Sequence, residues 1–199
     1  MEATLDAPAR QLVAALRDHA TESGVPPDAL ARHLYDDLRQ LARRHRARWN
    51  GNDTLNTTAI VHEAYLKMAN GEGFEDGHHF MSVASRAMRH VLVSYARERS
   101  ALKRGGTSRD VRLDAAPPDA LLSDEHATDL IGLDAALQRL AAFDARAARV
   151  VELRTFGDLT IDEAADELAI SEATVTRDWR RARAWLRAEL GELPTLDRD

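Results

Sequence analysis

The sequence predicts an all-α protein of two small helical domains joined by a flexible linker. Apolar residues recur every three to four positions along most of the chain, which is the spacing of one helix face. Valine, isoleucine, threonine and aromatic residues never alternate with polar residues for long enough to indicate a strand. Residues 105–128 are rich in glycine, proline and acidic side chains and lack a helical stripe, so they are predicted to be the linker. A chain of 199 residues has room for two such domains.

The first half of the chain has the sequence features of four helices. Residues 1–25 contain an amphipathic N-terminal helix whose partner the sequence does not identify. Residues 26–104 form the first predicted domain, which begins with a proline-initiated helix that continues to about Trp49. Two more helices are predicted from Thr57 to about Ala69 and from His79 to Lys103, and glycines follow both.

The second predicted domain, residues 129–193, ends in two short helices with a tight turn between them. Helices near 129–141 and 144–155 precede this pair. Thr160 followed by Glu163 fits a capping box, and Ser171 is placed to cap the last helix. The apolar positions of that last helix recur at helical spacing and are expected to face a core: Val175, Trp179, Ala182 and Leu186.

Arginines dominate the remaining faces of the last helix, with only Asp178 opposing them. These arginines are Arg177, Arg180, Arg181, Arg183 and Arg187. Two capped helices with a basic second helix are typical of a helix-turn-helix, whose second helix enters the major groove of DNA. An ordinary helical hairpin with a solvated basic face is the alternative interpretation of the same residues.

The formal net charge of −6 is unevenly distributed along the chain. Residues 30–104 contain 13 basic and eight acidic side chains, a local charge of +5. Residues 105–131 and 132–199 each have a local charge of −4. Such asymmetry indicates an interaction surface. Because a strong autonomous DNA-binding protein is expected to be more basic, the balance favours weak DNA binding by the protein alone.

The sequence argues against several other classes of protein. It has no cysteine, and neither a signal peptide nor an apolar run long enough to span a membrane is evident, so we expect a cytoplasmic protein. His62-Glu63 begins like a zinc-protease motif, but Leu66 occupies the position of the second histidine. No glycine-rich phosphate loop is present either. We therefore expect no enzymatic activity, no metal site and no cofactor.

Two segments of the first domain have a more specific pattern. These are Leu55-Asn-Thr-Thr-Ala-Ile-Val-His-Glu-Ala-Tyr-Leu-Lys-Met68 and the stretch from Phe80 to Arg99. They resemble region two of extracytoplasmic-function (ECF) sigma factors, and the helix-turn-helix is similar to region four. The resemblance covers roughly residues 30–104 and 130–190, in the order expected for that family.

The resemblance implies three sets of functional residues. Docking on the β′ clamp helices of core RNA polymerase, which also contacts sigma factors through its β subunit, would involve Ile60, His62, Glu63 and Leu66. Contacts to the −10 promoter element would come from Phe74, His78, His79, Arg86, Arg89, His90 and Arg97. Contacts to the −35 element would come from Ser171, Thr174, Arg177, Arg180, Arg181 and Arg183.

One segment departs from the family pattern. Typical members have an acidic cluster before the docking helix, whereas this chain has the uncharged residues Asn56-Thr57-Thr58-Ala59. We hypothesise that phosphorylation of Thr57 or Thr58 by a Ser/Thr kinase supplies the missing negative charge at a helix N-terminus. The alternative is that these threonines are simply helix caps. The sequence leaves control by a kinase or by an anti-sigma protein open.

The resemblance therefore predicts an alternative sigma factor that recognises and melts promoter DNA with core polymerase. The alternative is a helix-turn-helix regulator that binds an operator without polymerase. The promoter sequence and the inducing signal are not predictable from the residues.

Overall fold

The computed structural model describes residues 27–48, 60–61, 63–64, 77–103 and 123–191. Six helices have their bounds within these residues: α1 Pro27–Arg48, α2 Gly77–Lys103, α3 Asp124–Phe143, α4 Ala145–Phe156, α5 Ile161–Glu167 and α6 Glu172–Leu190. Residues 60, 61, 63 and 64 are also helical. The described part of the chain contains no strand, so the all-α prediction is confirmed. The predicted N-terminal helix and residues 105–122 of the predicted linker lie outside the described residues.

Side-chain caps determine where the last four helices begin. Ser123 caps α3 by accepting the His126 N–H at 3.2 Å, and Asp144 caps α4 by accepting the Ala147 N–H at 3.0 Å. Helix α3 therefore begins inside the stretch predicted as linker, because Ser123 precedes two acidic residues in the first turn. Thr160 and Glu163 form the predicted capping box at the start of α5.

Helices α1 and α2 pack against each other in the N-terminal half. Helix α1 buries Leu38 and Leu41, and α2 buries Phe80 and Met88. Ile60 belongs to the same apolar core and is 1% exposed. Burial of these side chains is the main favourable contribution to this packing.

The C-terminal half consists of α3 to α6, with α4 and α6 in close contact. Trp179 and Leu186 of α6 pack into a core that also contains Phe156 of α4 and Leu137 of α3. Helix α5 is short, contacts α6 and buries Ala164 and Ala165. Because both helices pack into this core, it fixes the position of α5 relative to α6.

The two halves are in direct contact in this structure. Helix α2 packs along α3 and also contacts α4 and α5, so one continuous apolar core includes residues from both halves. Nε2 of His45, which is buried, lies 2.7 Å from the carbonyl oxygen of Phe156, linking α1 to the end of α4. The predicted domain boundaries, 26–104 and 129–193, stay a prediction. Among the described helices, none is both long and apolar enough to cross a membrane.

Candidate nucleic-acid interface

Helices α5 and α6 form the helix-turn-helix that the sequence predicts. The turn contains Ala169 in the left-handed backbone region, with φ of 51°. Its N–H donates to the carbonyl of Asp166 at 3.1 Å, and the Ile170 N–H donates to the carbonyl of Ala165 at 3.0 Å. These bonds satisfy carbonyls at the end of α5, which offsets the strain of a non-glycine residue in this conformation.

The solvent-facing side of α6 carries three of the predicted DNA contacts. The side chains of Arg177 and Arg181 are 60% and 65% exposed, and Arg180 is also exposed. Arg180 forms no ion pair with another described residue. Guanidinium groups on the open face of a recognition helix can read guanine edges or bind phosphates.

Ser171 and Thr174 form hydrogen bonds with each other at the start of α6. The Ser171 hydroxyl accepts the Thr174 N–H at 3.3 Å, and the two hydroxyl oxygens lie 2.9 Å apart. Ser171 is therefore the N-cap of α6, as its sequence position predicts. A hydroxyl engaged in a cap positions the helix backbone that would approach DNA.

Arg183 lies against the core side of α6 rather than beside Arg180. Its guanidinium carbon is 5.7 Å from the centroid of the Trp179 ring, and that of Arg154 is 5.1 Å from the same centroid. A guanidinium over an indole face is attracted by the ring quadrupole. In this structure the side chain of Arg183 packs on Trp179. Its predicted contact with the −35 element stays a prediction.

Asp178 is a structural residue of this site that sequence reasoning missed. Its side chain is fully buried and accepts a hydrogen bond from Nε of Arg146 at 2.6 Å. One turn later, Arg181 lies 3.7 Å from Asp144, the residue that caps α4. These two ion pairs tie the recognition helix to the beginning of α4. Asp178 follows Val175 by three positions and precedes Ala182 by four, which is the spacing of one helix face. This spacing could have predicted from the sequence that Asp178 faces the core.

The predicted −10 residues on α2 divide into two groups. Arg86 and His90 are exposed, whereas Arg89 and Arg97 both contact Asp134 of α3. Nε and Nη2 of Arg89 donate to Oδ1 of Asp134 at 3.0 and 2.8 Å, and Nη2 of Arg97 donates to Oδ2 at 2.8 Å. His78 and His79 belong to the first turn of α2, and Phe74 lies outside the described residues.

A second buried carboxylate, that of Glu152 on α4, extends this contact. It lies 3.6 Å from Nη1 of Arg89 and accepts a hydrogen bond from Arg149 at 2.7 Å. Arg149 also donates to the backbone carbonyl of Ser82 at 3.1 Å and contacts the Ser82 hydroxyl. We refer to Arg89, Arg97, Asp134, Arg149 and Glu152 as the ionic cluster. The cluster joins α2 to α3 and α4.

The predicted polymerase-docking residues are only partly described. Ile60 packs into the apolar core, so its side chain is not available to a partner in this structure. Glu63 is half-buried, and His62, Leu66, Thr57 and Thr58 lie outside the described residues. The burial of Ile60 follows from its helical register with the buried residues Val61 and Ala64.

The described residues contain no group of three or more His, Cys, Asp or Glu side chains that could hold a metal ion. The charged side chains of α2 and α6 described above form ion pairs or face solvent instead. Many of them are guanidinium groups, which suit phosphates and base edges.

Comparison with known proteins identifies a family. A sequence model of the family described as ECF sigma factor matches residues 11–192, a span that includes all six helices. No curated protein and no solved structure matches the chain.

Proposed function

Because the chain belongs to the ECF sigma factor family, we propose that it binds core RNA polymerase and directs transcription initiation at a specific set of promoters. Sigma factors of this family are DNA-binding proteins of transcription initiation, and they work with polymerase and promoter DNA. The observation that carries the proposal is that the family match extends over both the α1–α2 half and the helix-turn-helix. A cytoplasmic location follows from these proposed partners.

The proposed division of labour assigns the −35 element to α6. The exposed guanidinium groups of Arg177, Arg180 and Arg181 support this assignment, because they project from a helix whose other side is held by Trp179 and Asp178. One arginine that reads a guanine edge contributes about 1–3 kcal/mol of discrimination between base pairs. Binding by three such residues suits a module that anchors a larger complex on duplex DNA.

The −10 element is assigned to α2 and the segment before it, and docking on the β′ clamp helices to the region around Glu63. The basic character of residues 30–104, with a local charge of +5, supports DNA contact by this half. Unpaired bases are bound by stacking on aromatic rings and by cationic side chains. Phe74 and His90 offer aromatic rings, and Arg86 offers a cation. The negative charge of the rest of the chain fits a protein that binds promoters together with polymerase.

Phosphorylation of Thr57 or Thr58 is proposed as the event that strengthens docking. The support is the uncharged sequence Asn56-Thr57-Thr58-Ala59 before the docking helix, where a phosphate would add about −1.5 to −2 charges. Polymerase pull-down with Thr57→Glu and Thr58→Glu, each compared with the matched Gln variant, tests this step. Stronger retention of the Glu variants is expected, and equal retention of all four variants would count heavily against phosphate-driven docking.

Transcription in vitro is the decisive experiment for the proposed function. Core polymerase from the organism that encodes the chain is incubated with its genomic fragments, with and without the protein. We expect initiation at discrete −35/−10 promoters only when the protein is added. Specific binding to a palindromic operator without polymerase, together with no initiation even from the Glu variants, would instead identify a conventional regulator.

A further inference from the structure

The second half of α1 is a basic segment that none of the contacts assigned above uses. Residues 39–48 contain five arginines and no acidic side chain, whereas residues 27–38 contain three acids and one arginine. These five arginines belong to the 13 basic side chains that give residues 30–104 their local charge of +5. The positive charge of this half therefore lies on α1 as well as on α2.

Arg39 and Arg43 lie one turn apart on α1. Arg43 is exposed and Arg39 is half-buried, and neither forms a hydrogen bond or an ion pair with another described residue. Their neighbour Arg44 differs, because it pairs with Asp158 at 2.7 Å and donates a hydrogen bond to Gln40 at 3.3 Å. We refer to Arg39 and Arg43 as the arginine row, two cationic side chains whose charge the described part of the molecule leaves unpaired.

Ordinary helix energetics do not account for the arginine row. The helix dipole favours cations in the last turn, whereas Arg43 and Arg39 lie five and nine residues before the end of α1 at Arg48. Asp36 is three residues before Arg39, but the two side chains form no ion pair. Like charges four residues apart repel each other and weaken a helix. An anion bound by both guanidinium groups would relieve this repulsion.

We propose that the arginine row binds the phosphate backbone of duplex promoter DNA, as a sequence-independent contact additional to those assigned to α2 and α6. The proposal rests on the proposed function, which supplies DNA as the anion. Guanidinium groups form charge-assisted, often bidentate hydrogen bonds with phosphate. Side chains one turn apart, with about 5–6 Å between their Cβ atoms, can reach neighbouring phosphates of one strand.

The position of the arginine row favours duplex DNA over an acidic protein as its partner. The next two residues along α1, Arg44 and His45, contact Asp158 and Phe156 at the turn that leads into the helix-turn-helix. The arginine row thus adjoins residues that contact the start of the module assigned to the −35 duplex. A duplex presents phosphates along its whole length, so cations beyond the base-reading residues add affinity without sequence preference.

The salt dependence of duplex binding by the full chain tests the arginine row. Arg43→Gln is compared with Arg139→Gln, which removes one positive charge from the exposed ion pair with Glu189, so the two variants have the same net charge. The probe is a fluorescent DNA duplex of mixed sequence, titrated at several salt concentrations. Arg43→Lys is a third variant, which keeps the charge of the row.

Arg43→Gln is expected to bind the duplex several-fold more weakly than Arg139→Gln at low salt. Its plot of log K against log salt should be shallower by about 0.9, the contribution of one phosphate contact. Arg43→Lys should keep most of the slope, because a lysine also neutralises a phosphate. Equal affinities and slopes of Arg43→Gln and Arg139→Gln would overturn the proposal.

Directed cleavage keeps the proposal falsifiable if the free protein binds the duplex too weakly for titration. The chain has no native cysteine, so Gln40→Cys, exposed beside the arginine row, and Arg139→Cys each offer one thiol for an iron–EDTA reagent. Both variants keep Arg39 and Arg43. We expect the reagent at position 40 to cut the duplex backbone more strongly than the reagent at position 139. Equal cutting from the two positions would contradict the proposal.

Core polymerase added without DNA examines the acidic protein as partner. Cleavage of a polymerase subunit from position 40, together with no cutting of the duplex, would identify that partner and overturn the proposal. Promoter-dependent transcription by the unmodified chain tests the proposed function separately. Initiation without duplex contact at position 40 would remove the arginine row alone, whereas duplex contact without initiation would contradict the sigma-factor role.

Discussion

Nε2 of His45 donates a hydrogen bond to the carbonyl oxygen of Phe156 at 2.7 Å, and the two rings are stacked with centroids 6.0 Å apart. The residues are 111 positions apart, and the bond joins α1 to the residue before the turn that leads into the helix-turn-helix. Beside it, Arg44 forms an ion pair with Asp158 at 2.7 Å, in a turn where Asp158 has a φ of 57°. The start of the DNA-binding module is thus fixed by residues of the opposite half.

His45→Ala is expected to destabilise the protein by about 3 kcal/mol. The variant leaves the Phe156 carbonyl without its donor and opens a cavity beside the phenylalanine ring. Urea unfolding followed by circular dichroism measures the change. The control is Arg43→Ala on the exposed face of the same helix, for which a change within about 0.5 kcal/mol is expected. Similar stabilities of the two variants would show that the interhelical bond contributes little.

The second prediction concerns the buried carboxylate of the recognition helix. Asp178→Asn in the unmodified chain should lower the free energy of unfolding by about 1–3 kcal/mol, because it weakens the bond from Arg146. In an Arg146→Ala background the same substitution should have the opposite sign, since it then removes a buried charge that has lost its main partner. Chemical unfolding of the four proteins completes this cycle. An equal loss of stability on Asp178→Asn in both backgrounds would mean that groups other than Arg146 stabilise the Asp178 carboxylate.

Arg180 and Arg183 provide a matched pair for the third prediction. Arg180→Ala should weaken binding to an identified −35 element by about 1–3 kcal/mol and leave stability unchanged, because its side chain faces solvent. Arg183→Ala should lower stability by about 0.5–1 kcal/mol through loss of the contact with Trp179 and change DNA binding little. Fluorescence anisotropy and thermal unfolding measure the two effects. A larger loss of DNA binding for Arg183→Ala than for Arg180→Ala would support the predicted −35 contact of Arg183.

The parts of this fold that could be predicted from sequence are those with local causes. The capping box of Thr160 and Glu163 and the apolar spacing from Val175 to Leu186 depend on neighbours within one or two turns, and both were predicted. The packing of Arg183 on Trp179 is also local, because residues four apart share a helix face. It was missed because Arg183 was interpreted as a contact to DNA.

The ionic cluster could not have been predicted in the same way. Asp134 interrupts an otherwise apolar stripe on α3, which marks it as unusual, but nothing in the spacing of residues identifies Arg89 and Arg97 as its partners. Their pairing depends on how α2 crosses α3, which is a property of the tertiary packing. The contact between the two halves could therefore be identified only from the structure.

The last prediction is a loss of stability at alkaline pH that depends on Tyr95. Burial raises the pKa of the Tyr95 phenol above its ordinary value of 10.0, and the negative charges of Glu63 and Glu98 raise it further. The folded protein therefore holds the phenolic proton more tightly than the unfolded chain does. The resulting stability is fully present below the unfolded pKa, near pH 10, and is lost as the pH rises from there towards the folded pKa.

Tyr95→Phe should remove this part of the alkaline loss. At about pH 8 the variant should be as stable as the unmodified protein or slightly more so, because the Tyr95 hydroxyl is buried and has no hydrogen-bond partner among the described residues. Urea unfolding between about pH 8 and pH 11 measures both curves. Parallel curves for the two proteins would show that the phenol titrates equally in the folded and unfolded chains, and that Tyr95 is accessible to water in the folded state.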